Sequence, residues 1–182
     1  MTYYGNKELA ESFRTVRKNT IAIAEDIPED KYGYKPTPES RSVAELLRHL
    51  AVSTQGYYKM HAVSKTTSFV GFDWGAYMQR VQLEEQQLAS KAQILDALRS
   101  GGEAWASYLD TVPEAEKAVG VTFAEGAPGK SRFEMFLSVK EHEMHHRAQL
   151  MVLERMLGIV PHLTRQMQER WAAAAAAEAA KA

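Results

Sequence analysis

Three histidines define the chemistry open to this chain. His142 and His146 stand four residues apart in Glu141-His142-Glu143-Met144-His145-His146, and His49 lies far upstream in Glu45-Leu46-Leu47-Arg48-His49-Leu50. Side chains four residues apart stack on one face of a helix, so His142 and His146 can share one ion. A third imidazole from another helix would complete a three-nitrogen site for a divalent metal. Such a site keeps a coordination position open, as catalytic centres do. The chain has no cysteine, which excludes thiolate zinc sites and cysteine nucleophiles and leaves nitrogen or oxygen as the only donors.

The surroundings of the pair favour ligation. Met135, Val139, Leu150, Leu153 and Leu157 project within roughly 60° of its midpoint on a helical wheel, so the pair is expected to face the interior of a bundle. Imidazoles set in such a stripe need partners for their nitrogens, and a metal supplies one. His49 lies at the margin of a stripe formed by Val43, Leu46, Leu47 and Leu50, where a side chain reaches into the seam between helices. His145 projects to the flank. Glu143 is the candidate catalytic residue, as a general base or as a hydrogen-bond partner of a ligand, and Gln149 projects close to His142, where it can orient one. His61 and His162 stand near helix ends and read as dipole or surface features.

His142-Glu143-Met144-His145-His146 also satisfies H-E-x-x-H, in which two histidines bind zinc and the glutamate activates water. The metzincin extension fails, since Gln149 and Val152 stand where Gly and His are required. A gluzincin needs a further glutamate, and spacing leaves Glu169 open for that role. A di-iron bundle needs two Glu-x-x-His pairs, and Glu143 with His146 is the only one.

The elements that must position these residues are helical. Leu9, Phe13, Val16, Ile21, Ile23 and Ile27 predict a first helix ended by Pro28, and Gly33 to Pro38 an extended connection. Ser42-Val43-Ala44-Glu45 is a capping box that opens a second helix running to about Val63. A polar crossover over 65–72 leads to Asp73, an N-cap for a third helical region through Leu109, with Ser90 and Gly101-Gly102 as candidate breaks. Residues 119–130 read as a loop or small hairpin. Ser131-Arg132-Phe133-Glu134 is a second capping box, opening a helix that continues to Leu157, before the stop signals Gly158 and Pro161. His162 to Trp171 forms a last segment. The expected fold is all-α, a four-helix bundle with a long crossover between helices two and three, as one domain over 1–171 followed by an alanine-rich, fraying tail over 172–182.

Composition is that of an ordinary globular protein, 45% hydrophobic and 25% charged, which indicates neither disorder nor a membrane class. With 22 basic and 23 acidic side chains for a net charge of -1, nucleic acid is not an expected partner. The first eight residues lack the basic start and apolar core of a secretory signal, so a cytoplasmic protein is expected.

The segments Ser42 to Leu50 and Glu141 to Leu150, followed by Leu157-Gly158-Ile159-Val160-Pro161, together resemble the DinB-like (YfiT-like) family of metal-dependent hydrolases and thiol S-transferases. The resemblance spans most of the chain. It implies a four-helix bundle with a long crossover after helix two, a homodimer, and a metal held by one histidine of helix two and an H-x-x-x-H pair of helix four. Here those are His49, His142 and His146. Zinc is the first expectation for the ion, with nickel or iron as alternatives, since all suit neutral imidazole. The implied reaction acts on a small-molecule substrate and activates either water or a low-molecular-weight thiol, with thiol transfer favoured. A non-catalytic metal-binding or stress-response bundle would carry the same ligands.

Overall fold

The computed structural model describes residues 4–181. Residues 1–3, at the start of the predicted domain, and Ala182, at the end of the predicted tail, lie outside them. Four long helices carry the fold: α1 (Asn6–Asp26), α2 (Val43–Tyr58), α4 (Lys91–Thr111) and α6 (Arg132–Met156). The crossover after α2 contains α3 (Trp74–Gln87), and between α4 and α6 lie the single turn α5 (Glu114–Lys117) and a two-stranded antiparallel ribbon, β1 (Gly120–Val121) with β2 (Lys130–Ser131). α7 (His162–Ala179) follows α6 and takes most of the alanine-rich tail into one continuous, largely exposed helix. α1 and α2 each pack on both α4 and α6, so the cyclic order is α1, α4, α2, α6. The expected four-helix bundle with a crossover is the observed fold, and it makes α2 and α6, which carry the histidines, direct neighbours.

Local chemistry sets the ends of these helices. Ser42 Oγ accepts from the Glu45 amide at 3.2 Å while Glu45 accepts from the Ser42 amide at 2.6 Å, the reciprocal box expected. Asp73 caps α3 through Ala76 N. At α6 only half of the expected box forms. Ser131 Oγ accepts from Glu134 N, but the Glu134 carboxylate turns instead to Lys130, 3.6 Å away. The far end of α6 closes with Gly158 at φ 78°, Gly158 N donating to Arg155 O and Ile159 N to Glu154 O, a left-handed cap that favours glycine. α2 widens into a π turn over Lys59–Val63.

The third helical region breaks between Gln87 and Lys91, where Ser90 caps α4 through Gln93 N. It does not break at Gly101-Gly102. A Cβ on Gly102 would stand 2.8 Å from Arg17 Cγ, and one on Gly101 would stand 3.2 Å from Gln55 Cγ. The missing side chains make room for a buried arginine stem and for close approach of α2, and α4 continues through them as regular helix.

That arginine lies at the waist of the bundle. One apolar cluster, around Ile23, Leu47, Leu98 and Leu150, fills one end, and another, around Phe13, Trp105 and Phe136, fills the other. Between them Arg17 and Glu143, 4% and 1% exposed, form an ion pair at 2.8 Å. Arg17 also donates to Leu98 O and Thr54 Oγ1.

Two histidines expected as dipole or surface features of helix ends are buried instead. His61 packs edge-on against Phe136 in the π turn, and burial, then the charge of Arg132, lowers its pKa to about 4. His162 is held against Asn19 Oδ1 at 3.2 Å, under the start of α7. A place near a helix end predicts a dipole or surface role for each ring. The π turn and the docking of α7 turn those ends inward.

Glu154, beneath the same helix, is fully buried with no partner for either carboxylate oxygen among the described residues. Burial, then the nearby charge of Asp26, pushes its pKa from 4.5 up to about 7. Its contribution to stability is therefore full below about pH 4.5, where it is protonated folded or unfolded, and is lost as pH rises through about 7. Glu154→Gln should raise stability at pH 8 by roughly 2–3 kcal/mol, several degrees in Tm, with little change at pH 5. Thermal melts followed by circular dichroism at the two pH values check this; equal effects at both would contradict it.

Candidate metal centre

His49 projects from α2, and His142 and His146 from α6, at the level of the polar waist. Their ring centroids are 5.0, 4.9 and 4.6 Å apart in the three pairings, and one nitrogen from each lies within 4.8 Å of the others. His49 Nε2 and His142 Nε2 are 3.1 Å apart. Two nitrogens sharing a zinc ion at about 2.0–2.1 Å, at angles between about 90° and 109°, are separated by about 2.8–3.4 Å. The His49–His142 spacing and the donor chemistry of all three rings fit a divalent metal. Glu169 lies exposed on α7, outside this group, so the gluzincin arrangement is not formed.

The histidine pair was expected to face the bundle interior. Instead the buried face of α6 centres on Phe136, Val139, Glu143 and Leu150, and His142 and His146 sit half-buried at its margin. Glu143, paired with Arg17, occupies the inward position, which leaves the histidines at the edge shared with α2. Glu143, expected as a catalytic group, is thus aimed into the core, where its Oε2 accepts both Arg17 Nε and Nη2, and it is not among the converging groups. The H-E-x-x-H reading loses its base. His145 is exposed on the flank, as its spacing implied.

Each outer ring nitrogen that has a partner leaves its other nitrogen free to ligate. His49 Nδ1 lies 3.1 Å from Glu85 Oε1 of α3, and His146 Nδ1 lies 2.9 Å from Gln149 Oε1. With those N–H groups donating, both Nε2 atoms present lone pairs, the usual support for a ligating histidine. Gln149 serves His146 rather than His142, and its Nε2 in turn reaches His145 Nε2 at 3.2 Å. Burial, followed by the neighbouring His49, lowers the His142 pKa to about 4. Burial also lowers that of His146, against the opposing effect of the Gln149 bond. Neutral, ligation-competent rings are therefore favoured at neutral pH.

The triad forms a wall between two cavities. One, of about 620 Å³, is bordered by His49 and His146 together with Arg41, Gln149, Val152 and Met156. The other, of about 470 Å³, is bordered by His49 and His142 together with Tyr57, Trp74, Tyr77 and Met135. Sequence reasoning did not find Glu85, Arg41 or Tyr57, since none belongs to a motif.

Fold and site together define a helical bundle with a three-histidine site able to hold a divalent cation. The chain belongs to the DinB superfamily, whose family model matches residues 12–150. It is similar to the uncharacterized protein YjoA of Bacillus subtilis strain 168, with 24% identity over 155 residues, 84% of this chain and 91% of that protein. The crystal structure of YjoA, a DinB-like protein, superposes with a TM-score of 0.62 at 20% identity, covering 83% of this chain and 92% of that one. YfiT of Bacillus subtilis, described as a probable metal-dependent hydrolase with an unusual four-helix bundle topology, superposes with a TM-score of 0.66 at 16% identity, covering 87% and 91%. These similarities meet the family expectation drawn from the Ser42–Leu50 and Glu141–Leu150 segments. No helix among the described residues is long and apolar enough to cross a membrane.

Proposed function

We propose that the protein is a metal-dependent transferase that joins a low-molecular-weight thiol to an electrophilic small molecule, with His49, His142 and His146 holding a divalent cation, zinc first and nickel or iron as alternatives. The observation that carries this reading is the placement of the triad between two separate cavities. A hydrolase needs room for one organic substrate and water, whereas a transfer between two organic molecules needs a seat for each on either side of the reacting centre. The description of YfiT as a metal-dependent hydrolase supports the use of a metal in this fold, with water as the alternative nucleophile.

A divalent cation supplies a Lewis acid that lets a thiol or a water lose its proton near neutral pH. The chain contributes position and charge. Glu85 and Gln149 fix the His49 and His146 tautomers. Arg41, on the wall of the larger cavity, attracts an anionic thiol compound. In the transfer, a sulfur–carbon bond forms, the bond to the leaving group breaks with its electron pair, and the thiol proton passes to solvent.

The test is conjugation of 1-chloro-2,4-dinitrobenzene with cysteine by protein loaded with zinc and with nickel, against hydrolysis of 4-nitrophenyl acetate without thiol. Thiol-dependent turnover that disappears with EDTA and returns with the metal is the expected result. Turnover without thiol would replace transfer by hydrolysis. Bound metal that raises Tm with neither activity would establish a non-catalytic metal-binding bundle.

A further inference from the structure

The two cavities differ in chemistry, and the difference specifies a ligand. Apart from the histidines, the larger has no aromatic ring on its wall, where Arg41, Ser40 and Gln149 supply the polar groups. The smaller is built from Tyr57, Trp74, Tyr77, Met60, Met78 and Met135, and the only full charge on its wall is Lys130 of β2. Its volume, about 470 Å³, falls in the range of small-molecule sites. Flat aromatic faces and adaptable thioethers favour a planar apolar guest.

The rim and the polar groups point the same way. Trp74 and Met78 stand 45% and 55% exposed, large apolar groups left in water around a concave site. Tyr57 lies edge-on to His142, with ring centroids 6.3 Å apart. Neither the Tyr57 nor the Tyr77 hydroxyl has a protein hydrogen-bond partner among the described residues, although burial raises the pKa of both. Tyr77 is seated on Gly56, where a Cβ would come within 2.9 Å of its hydroxyl oxygen. The Ser138 hydroxyl is already donated to the carbonyls of Glu134 and Met135. The Tyr57 hydroxyl is thus free for a guest, and Lys130, whose closest carboxylate partner is Glu134 at 3.6 Å, marks the end where a negative charge is accepted.

We propose that the cavity on the His142 side binds a planar aromatic carboxylate, its ring between the tyrosine and methionine side chains and its carboxylate toward Lys130. This identifies the class of the electrophilic substrate and in that respect rests on the transfer reading, but binding itself requires neither metal nor turnover. The probe is 2-naphthoate, titrated into metal-free protein and followed by tryptophan fluorescence, with 2-naphthalenemethanol as the uncharged counterpart.

Saturable quenching that Trp74→Phe removes is expected. Ser53→Phe, which fills the cavity, and Met78→Glu, an exposed position that tolerates substitution and repels the carboxylate, should each weaken 2-naphthoate about tenfold or more. Lys130→Ala should weaken 2-naphthoate and leave 2-naphthalenemethanol unchanged. Val152→Phe, in the other cavity, should leave both unchanged. Binding indifferent to Ser53→Phe and Met78→Glu, or lost in Val152→Phe, would overturn the assignment. Naphthoate binding that follows this pattern in a protein without thiol-dependent turnover would sink the transfer reading alone, whereas turnover with binding indifferent to these variants would sink the cavity assignment alone.

Discussion

His142→Ala is expected to strip most of the metal from the purified protein while far-UV circular dichroism stays that of a helical bundle. The ring supplies one of three converging nitrogens, and its Nε2 lies 3.1 Å from His49 Nε2. Removing it leaves two ligands from two different helices, and the loss should exceed the roughly 10–100-fold that removal of a supporting hydrogen-bond partner causes. The fold should survive because His142 is at the margin of the buried face of α6, not at its centre. His145→Ala serves as the control, since that ring is exposed and meets the site only through Gln149; its metal content should be near normal. Elemental analysis of the two variants beside the parent decides the matter, and unchanged metal in His142→Ala would remove His142 from the ligand set. The pH profile adds a second reading. A ring with pKa lowered to about 4 stays largely neutral where an ordinary imidazole of pKa about 6.5 is protonated. His142 should therefore not limit metal retention as pH falls from about 7 to about 5, and its own protonation should release metal only nearer pH 4.

The three histidines that converge were legible because their determinants are local. A four-residue spacing on one helix and a capping box that starts another place His142, His146 and His49 without knowledge of the tertiary contacts. What remained hidden depends on contacts distant in the chain. Glu85 meets His49 across the crossover, 36 residues away, and nothing in the composition of α3 marks it. The pairing of Arg17 with Glu143 spans 126 residues. A helical wheel shows Glu143 near the apolar stripe but not the cation awaiting it, so the carboxylate looked like a catalytic group beside its histidine neighbours. Gly101-Gly102 misled for the same reason: glycine reads as a break in isolation, while its purpose here is space for the Arg17 stem. Local rules thus picked out the three histidines, while the long-range pairing that places Glu143 inward was out of their reach.

That ion pair carries the other large expected effect. Glu143→Ala should destabilise the protein by about 3–5 kcal/mol, the cost of leaving one member of a buried pair without its counter-charge. For a chain of this size that is a fall in Tm on the order of 10 °C. Arg17 would keep its bonds to Leu98 O and Thr54 Oγ1, but neither group neutralises a guanidinium that is 4% exposed. Glu143→Gln retains an acceptor for Arg17 and should cost less. The double variant Arg17→Met, Glu143→Leu removes both charges and should recover much of the loss, because apolar groups of similar volume often replace a buried pair at little cost. Urea or thermal unfolding of the four proteins measures these differences. Metal content and thiol-dependent turnover, scaled to folded protein, separate this role from catalysis. A positioning residue leaves both largely intact in Glu143→Gln, whereas a general base would lose turnover by about 10²–10⁴-fold with stability scarcely changed. Since Glu143 takes the inward position while His142 and His146 sit at its margin beside α2, the double variant also tests whether the waist pair sets the triad. Metal bound as tightly as in the parent would show that packing of the two apolar clusters alone is enough.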